Sequence, residues 1–149
     1  MNVPPPINLG SFHHVGVAVR SIRDAVASYS QTLGAGVESE TIHDAEQGVR
    51  ICFIKLGDLR IELLEPAAVP SPVDGVLKRG VAIYHVCYEV NDLDDALSRV
   101  REHGHPIVSP PKPAAAFGGR RVAFFTCRGL LIELVESDSS STRIDGGRM

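Results

Sequence analysis

Apolar and polar positions along this chain follow two rhythms that alternate twice. Residues 12–20 (FHHVGVAVR) alternate and carry a Val-rich face, the two-residue period of a half-buried strand. Ile22, Val26, Tyr29 and Leu33 then recur at helical spacing. Ser21, with Asp24 three residues later, predicts the start of that helix, and Gly34 predicts its stop. Residues 37–42 predict a short strand. Residues 49–56 and 59–64 predict two apolar strands joined by a tight turn at Gly57-Asp58. The same order then returns. A strand over 81–90 leads to a helix capped by Asp92 with Asp95, carrying Leu93, Leu97 and Val100 and ended by Gly104. Ile107-Val108, residues 121–127 and residues 130–135 follow as strands, with a turn at Arg128-Gly129.

The recurrence is a repeat in the residues themselves. Residue n matches residue n+71 without a gap: His14 with His85, Val19 with Val90, Asp24 with Asp95, Gly48 with Gly119 and Phe53 with Phe124. Ile61-Glu62-Leu63 matches Ile132-Glu133-Leu134 at the same offset. Two copies of one supersecondary unit are therefore expected. Residues 11–66 form the first βαβββ module and 81–136 the second. The linker 67–80 holds one turn of helix near 76–78, and segment 109–119, rich in Pro and Ala, reads as a loop. The ends, 1–10 and 137–149, are polar or Pro-rich and read as disordered.

Composition narrows the class. With 149 residues, 44% hydrophobic and 22% charged, the chain can build one core without disulfides. A net charge of −3 argues against a general affinity for nucleic acid or anionic membranes. No apolar run approaches the roughly 20 residues of a membrane helix. The start, MNVPPPINLG, has neither the basic region nor the apolar core of a secretory signal. Cys52, Cys87 and Cys127 are an odd number, all within apolar strand-like runs; they read as reduced, buried thiols of a cytoplasmic protein.

The chemistry lies where polar residues interrupt the strands. By alternation His14 shares a face with Gly16 and Ala18, while Val15, Val17 and Val19 face the helix. His85 repeats this against Val86, Tyr88 and Val90. Glu62 and Glu133 sit inside RIELL and LIELV, where an unpartnered carboxylate is costly. Each copy supplies one His and one Glu, 48 residues apart, so pairing about a pseudo-twofold axis brings two imidazoles and two carboxylates to one point. That donor set suits a divalent Zn, Mn, Co, Ni or Fe ion with two coordination positions free for a bidentate substrate. Taken singly, a strand histidine is more often a packed core residue and a buried glutamate a structural acceptor; the shared offset is what favours a metal. His13 falls on the opposite face by the same alternation, and His43, His103 and His105 fall at strand ends or turns. Gln47, Lys78 and Arg121 are candidates for binding substrate; Arg50 and Arg121 share the repeat offset and also fit a solvated strand face.

At HVGVAV, EQGVRICFIKLG, IELLEP, LKRG, HVCYEVNDLDDAL and LLIELVE the chain resembles the vicinal oxygen chelate superfamily, and within it the methylmalonyl-CoA epimerases. The resemblance covers roughly 12–136. It implies an α+β fold of two βαβββ modules forming a cupped, eight-stranded mixed sheet around a metal held by His14, Glu62, His85 and Glu133. It further implies epimerisation of a 2-substituted malonyl-CoA thioester through a metal-stabilised enolate. Glu133 is then the first base, with Glu62 or a group near Gln47 serving the other face. A glyoxalase-like isomerase of a thiol adduct and a non-catalytic ligand-sequestering protein are the alternative uses of this scaffold. Open sheet edges favour a homodimer.

Overall fold

The computed structural model describes residues 2–138. Its strands are β1 (Phe12–Ala18), β2 (Gly36–Val37), β3 (Ile42–Asp44), β4 (Val49–Leu56), β5 (Leu59–Pro66), β6 (Ile83–Val90), β7 (Ile107–Pro113), β8 (Arg121–Cys127) and β9 (Leu130–Glu136). Its helices are α1 (Ile22–Leu33), α2 (Asp74–Arg79) and α3 (Leu93–Glu102), with a short 3-10 turn at Ala115–Phe117. The caps follow the expected chemistry: Ser21 accepts from the Asp24 N–H, and Asp92 accepts from the Asp95 N–H. Among the described residues no helix is long and apolar enough to cross a membrane.

The repeat is written into the sheet. Strands run in the order β2-β4-β5-β1-β6-β9-β8-β7, with β3 beside β4. β1 pairs in parallel with β5, and β6 in parallel with β9. The two modules meet where β1 and β6 pair antiparallel, with Val15 opposite Val86 and Gly16 opposite His85. Among the described residues the sheet is mixed, as expected, but has nine strands rather than eight. The second strand of the first module is split into β2 and β3, whereas its counterpart β7 is continuous.

β7 is also a correction. Residues 109–113 were expected in a loop, yet they extend the strand. β7 lies at the end of the sheet, so Pro110, Pro111 and Pro113 forfeit no partner on its open side. Residues 2–10, expected as disordered, form neither helix nor strand but are tied down: Gly10 N–H donates to Glu89 O, and Ile7 packs against the α3 cluster. The C-terminal tail expected from 137 lies, beyond Asp138, outside the described residues.

Alternation divides the apolar side chains between two faces. On one face α1 packs Ile22, Val26 and Tyr29 against Val17, Ile61 and Leu63, and α3 packs Leu93, Leu97 and Val100 against Phe125 and Leu134. The opposite face is a cup lined by Val49, Phe53, Leu64, Cys87, Phe117, Phe124 and Val135. Leu63 and Leu134 occupy equivalent places under the two helices and are fully buried. Leu63→Ala and Leu134→Ala should each lower unfolding free energy in urea by about 2–5 kcal/mol. A loss below about 1 kcal/mol would mean that the helix layers collapse onto the gap instead of leaving a cavity.

Candidate metal centre

The four central strands each supply one polar side chain to the cup. In sheet order they are Glu62 on β5, His14 on β1, His85 on β6 and Glu133 on β9. Gly16 pairs with Glu62 on one side and His85 on the other, and Cys87 pairs with Glu133. None of the four can be solvated: exposure is 0% for His14, 1% for His85 and 2% for each glutamate.

Their donor atoms converge. His14 Nε2 lies 3.2 Å from Glu62 Oε1 and 3.2 Å from Glu133 Oε1. His85 Nε2 lies 3.3 Å and 3.0 Å from the same two oxygens. The two Nε2 atoms are 3.0 Å apart, and all four donors fall within 4.8 Å of one another. Atoms bound to one ion at about 2.1 Å, at right angles to each other, stand about 3 Å apart. Hydrogen bonds alone fit these positions poorly. Two imidazole nitrogens at 3.0 Å cannot both direct a proton at each other. Glu133 Oε1 has no contact of hydrogen-bond geometry despite its two close nitrogens. The donor set and its spacing fit a shared divalent cation.

Electrostatics agree. Burial would pull both imidazoles down, but Glu62 and Glu133 overcome it: His14 is raised above its ordinary value, and His85 is pushed up to about 9. Burial opposes ionisation of the carboxylates in turn. His14 chiefly holds Glu62 below the usual carboxylate range, and His85 chiefly holds Glu133 there. A second cluster, His13, His14 and Cys87, is also compact. It is a poor metal site, because burial and the nearby carboxylates raise Cys87 and keep its thiol protonated, whereas a ligand must be thiolate.

Two glycines shape the site. A Cβ at Gly16 would stand 2.3 Å from the His85 ring, so only glycine lets that ring lie across β1. Gly48 has φ +70° and closes the turn that carries Gln47. That turn is anchored by buried Asp44, which accepts from the Gln47 backbone N–H at 3.1 Å and from Gln47 Nε2 at 3.0 Å. Asp44 Oδ2 also accepts from Ala115 N–H at 3.2 Å, fastening the first module to the 3-10 turn of the second.

Beside the centre lies a cavity of about 280 Å³ whose wall includes Glu46, Gln47, Tyr84, Lys112, Phe124 and Leu131. Tyr84 and Phe124 also touch the His85 ring, at centroid distances of 5.2 and 5.3 Å, so the cavity adjoins the four-donor centre. Gln47 is therefore at the cavity. Arg121 and Lys78 are not among the residues that line it. Arg121 is held by Glu136 at 2.7 Å and Asp94 at 3.2 Å, and Arg50 repeats that pairing with Glu65 in the first module. Lys78 lines a separate depression with Arg20 and Asp74. The sequence reading missed Lys112, hidden in the presumed loop, and Asp44, whose signal was an Asp three residues before a Gln-Gly turn.

His13 is a further correction. Alternation placed it on the far face, yet its ring packs at 5.0 Å from His14 and 4.9 Å from Phe117. The β1–β6 register shifts between Phe12 and His14, and such a bulge cancels the alternation locally.

This architecture has known counterparts. Residues 13–124 match the model of the glyoxalase/bleomycin resistance protein/dioxygenase superfamily, and the chain belongs to that superfamily. Within it, the chain is 36% identical over 131 residues to the ethylmalonyl-CoA/methylmalonyl-CoA epimerase of Cereibacter sphaeroides, covering 85% of this chain and 97% of that protein. It is 37% identical over 138 residues to the mitochondrial methylmalonyl-CoA epimerase of Bos taurus, covering 89% and 78%. A solved methylmalonyl-CoA epimerase in complex with methylmalonyl-CoA and NH4+ superposes with a TM-score of 0.76 at 29% identity, covering 89% of this chain and 97% of that one.

Gly16→Ala should displace His85 and sharply lower the metal-to-protein ratio after dialysis, with the secondary structure intact by circular dichroism; an unchanged ratio would show that the ring tolerates the methyl group. Because His85 is held to about 9, the metal-free centre carries a proton near pH 7 that an incoming ion must displace. Calorimetric titration of metal in two buffers of different ionisation enthalpy should therefore show release of at least one proton per ion, and affinity should rise with pH towards about 9. Identical heats in both buffers would contradict this.

Proposed function

We propose that this chain is an epimerase of a 2-substituted malonyl-CoA, of the methylmalonyl-CoA epimerase kind. One observation carries the reading: the four-donor centre adjoins a cavity lined by one carboxylate, Glu46, and one ammonium, Lys112, among the described residues. The names and ligands of the relatives support the substrate class.

The reaction removes a proton from C2, between a thioester carbonyl and a carboxylate, and returns one to the other face. His14, Glu62, His85 and Glu133 would hold a divalent ion, which when bound supplies Lewis acidity toward the thioester carbonyl. The protein residues do the rest. Glu133 stays ionised, the form a base needs, and has a second oxygen besides the one facing the other donors. Glu46 is the acid across the cavity for the opposite face of C2, positioned by the Asp44-anchored turn. Lys112 offers a positive charge to the substrate carboxylate, and Gln47 a further hydrogen bond. Tyr84, Phe124, Leu131, Val49 and Leu64 exclude water from the reacting carbon.

Proton exchange at C2 tests the reading. Metal-loaded protein in deuterated water should wash the C2 proton out of methylmalonyl-CoA, followed by NMR. Glu133→Gln should fold normally and lose about 10²–10⁴-fold in rate from one C2 epimer. Glu46→Gln should keep wash-out from that epimer and lose inversion. Parent protein that exchanges nothing would end the proposal, and turnover of a glutathione hemithioacetal in its place would point to glyoxalase-like chemistry. Full activity of Glu133→Gln would remove that residue as the base.

A further inference from the structure

The two imidazoles of the centre have unequal surroundings. His85 Nδ1 is buried with no hydrogen-bond partner among the described residues. His14 Nδ1 lies 2.8 Å from His13 Nδ1. The residue equivalent to His13 in the second module is Tyr84, which sets its ring edge against His85 and lines the cavity instead. The repeat offset thus breaks at a position that touches a metal ligand.

Three features build the His13 contact. The bulge between Phe12 and His14 turns the His13 side chain to the cup, where it would otherwise face away. The bulged residue's carbonyl accepts from Arg60 Nη1 at 3.3 Å, and Arg60 is itself paired with Glu38 at 3.4 Å. The His13 ring is then wedged edge-on against Phe53 and Phe117, at centroid distances of 5.9 and 4.9 Å. A side chain gripped on this many sides has little rotamer freedom, so its Nδ1 is held in place beside His14 Nδ1.

We propose that His13 is a positioning residue: by accepting the Nδ1–H of His14 it fixes that ring so that Nε2 presents its lone pair to the ion. This rests on the reading of His14, Glu62, His85 and Glu133 as a metal site. An imidazole that binds metal through one nitrogen carries its proton on the other, and an acceptor for that proton sets both tautomer and ring angle. In most proteins a carboxylate or carbonyl fills this place; here a second histidine does. His14 is then the preorganised ligand of the pair and His85 the adaptable one.

The test compares His13→Leu, which keeps apolar packing without an acceptor, with His13→Asn, whose side-chain oxygen can stand near Nδ1. Zinc affinity by chelator competition, the visible spectrum of the cobalt-loaded protein and the melting temperature of the metal-free protein are measured for each. His13→Leu should lose about 10–100-fold in affinity and alter the cobalt spectrum, with the metal-free melting temperature close to that of His13→Asn. His13→Asn should recover most of the affinity and the parent spectrum. Parent-like affinity in His13→Leu, or equal losses in both variants, would overturn the proposal. Nitrogen-15 NMR of the zinc-loaded parent needs no variant: a protonated His14 Nδ1 supports the assignment, and coordination through Nδ1 refutes it. Parent protein that holds no ion would instead sink the metal site itself, a separate result from either.

Discussion

Four buried donors, two imidazoles and two carboxylates crowded onto one point, are the constraint on which the rest of this structure turns. Two carboxylates at 2% exposure and two imidazoles essentially without solvent are expensive to bury, and the two Nε2 atoms, 3.0 Å apart, cannot both carry a proton directed at the other. A shared divalent ion would relieve all of these at once. The fold supplies the convergence by symmetry: each module places one His on its first strand and one Glu on its last, and antiparallel pairing of β1 with β6 brings the two sets together. Any side chain at Gly16 would push His85 out of the set, so the smallest residue stands where the two copies meet most closely.

Stability and chemistry are assigned to opposite faces of one sheet. The convex side is conventional packing, helix against strand, with Leu63 and Leu134 repeated under α1 and α3. The concave side carries the donors, aromatic rings that shield them, and the cavity with Glu46 and Lys112. Arg50 with Glu65, and Arg121 with Glu136, brace the sheet in both modules and are not at the cavity. Asp44 links the two tasks: it shapes the turn bearing Glu46 and Gln47 and fastens it to the second module.

What the sequence disclosed was whatever the repeat duplicated. The two histidines, the two glutamates, both N-caps and the strand order share one offset, and each reinforced the other. What stayed hidden were the places where the copies differ. A bulge re-aimed His13, and strict alternation has no means of announcing a bulge. Prolines at 110, 111 and 113 read as a loop because their tolerance on an edge strand depends on knowing where the edge is. Lys112 was lost with that segment. Arg121 obeys the repeat, but so does a duplicated ion pair, and the offset alone does not separate binding a substrate from bracing the sheet.

The most direct test is diffraction from cobalt-loaded crystals collected at the cobalt absorption edge. One anomalous peak per chain, within about 2.0–2.2 Å of His14 Nε2, His85 Nε2 and a carboxylate oxygen of both Glu62 and Glu133, is the expected result. A peak elsewhere, or none with the four side chains turned apart into separate hydrogen bonds, would contradict the centre and everything built on it.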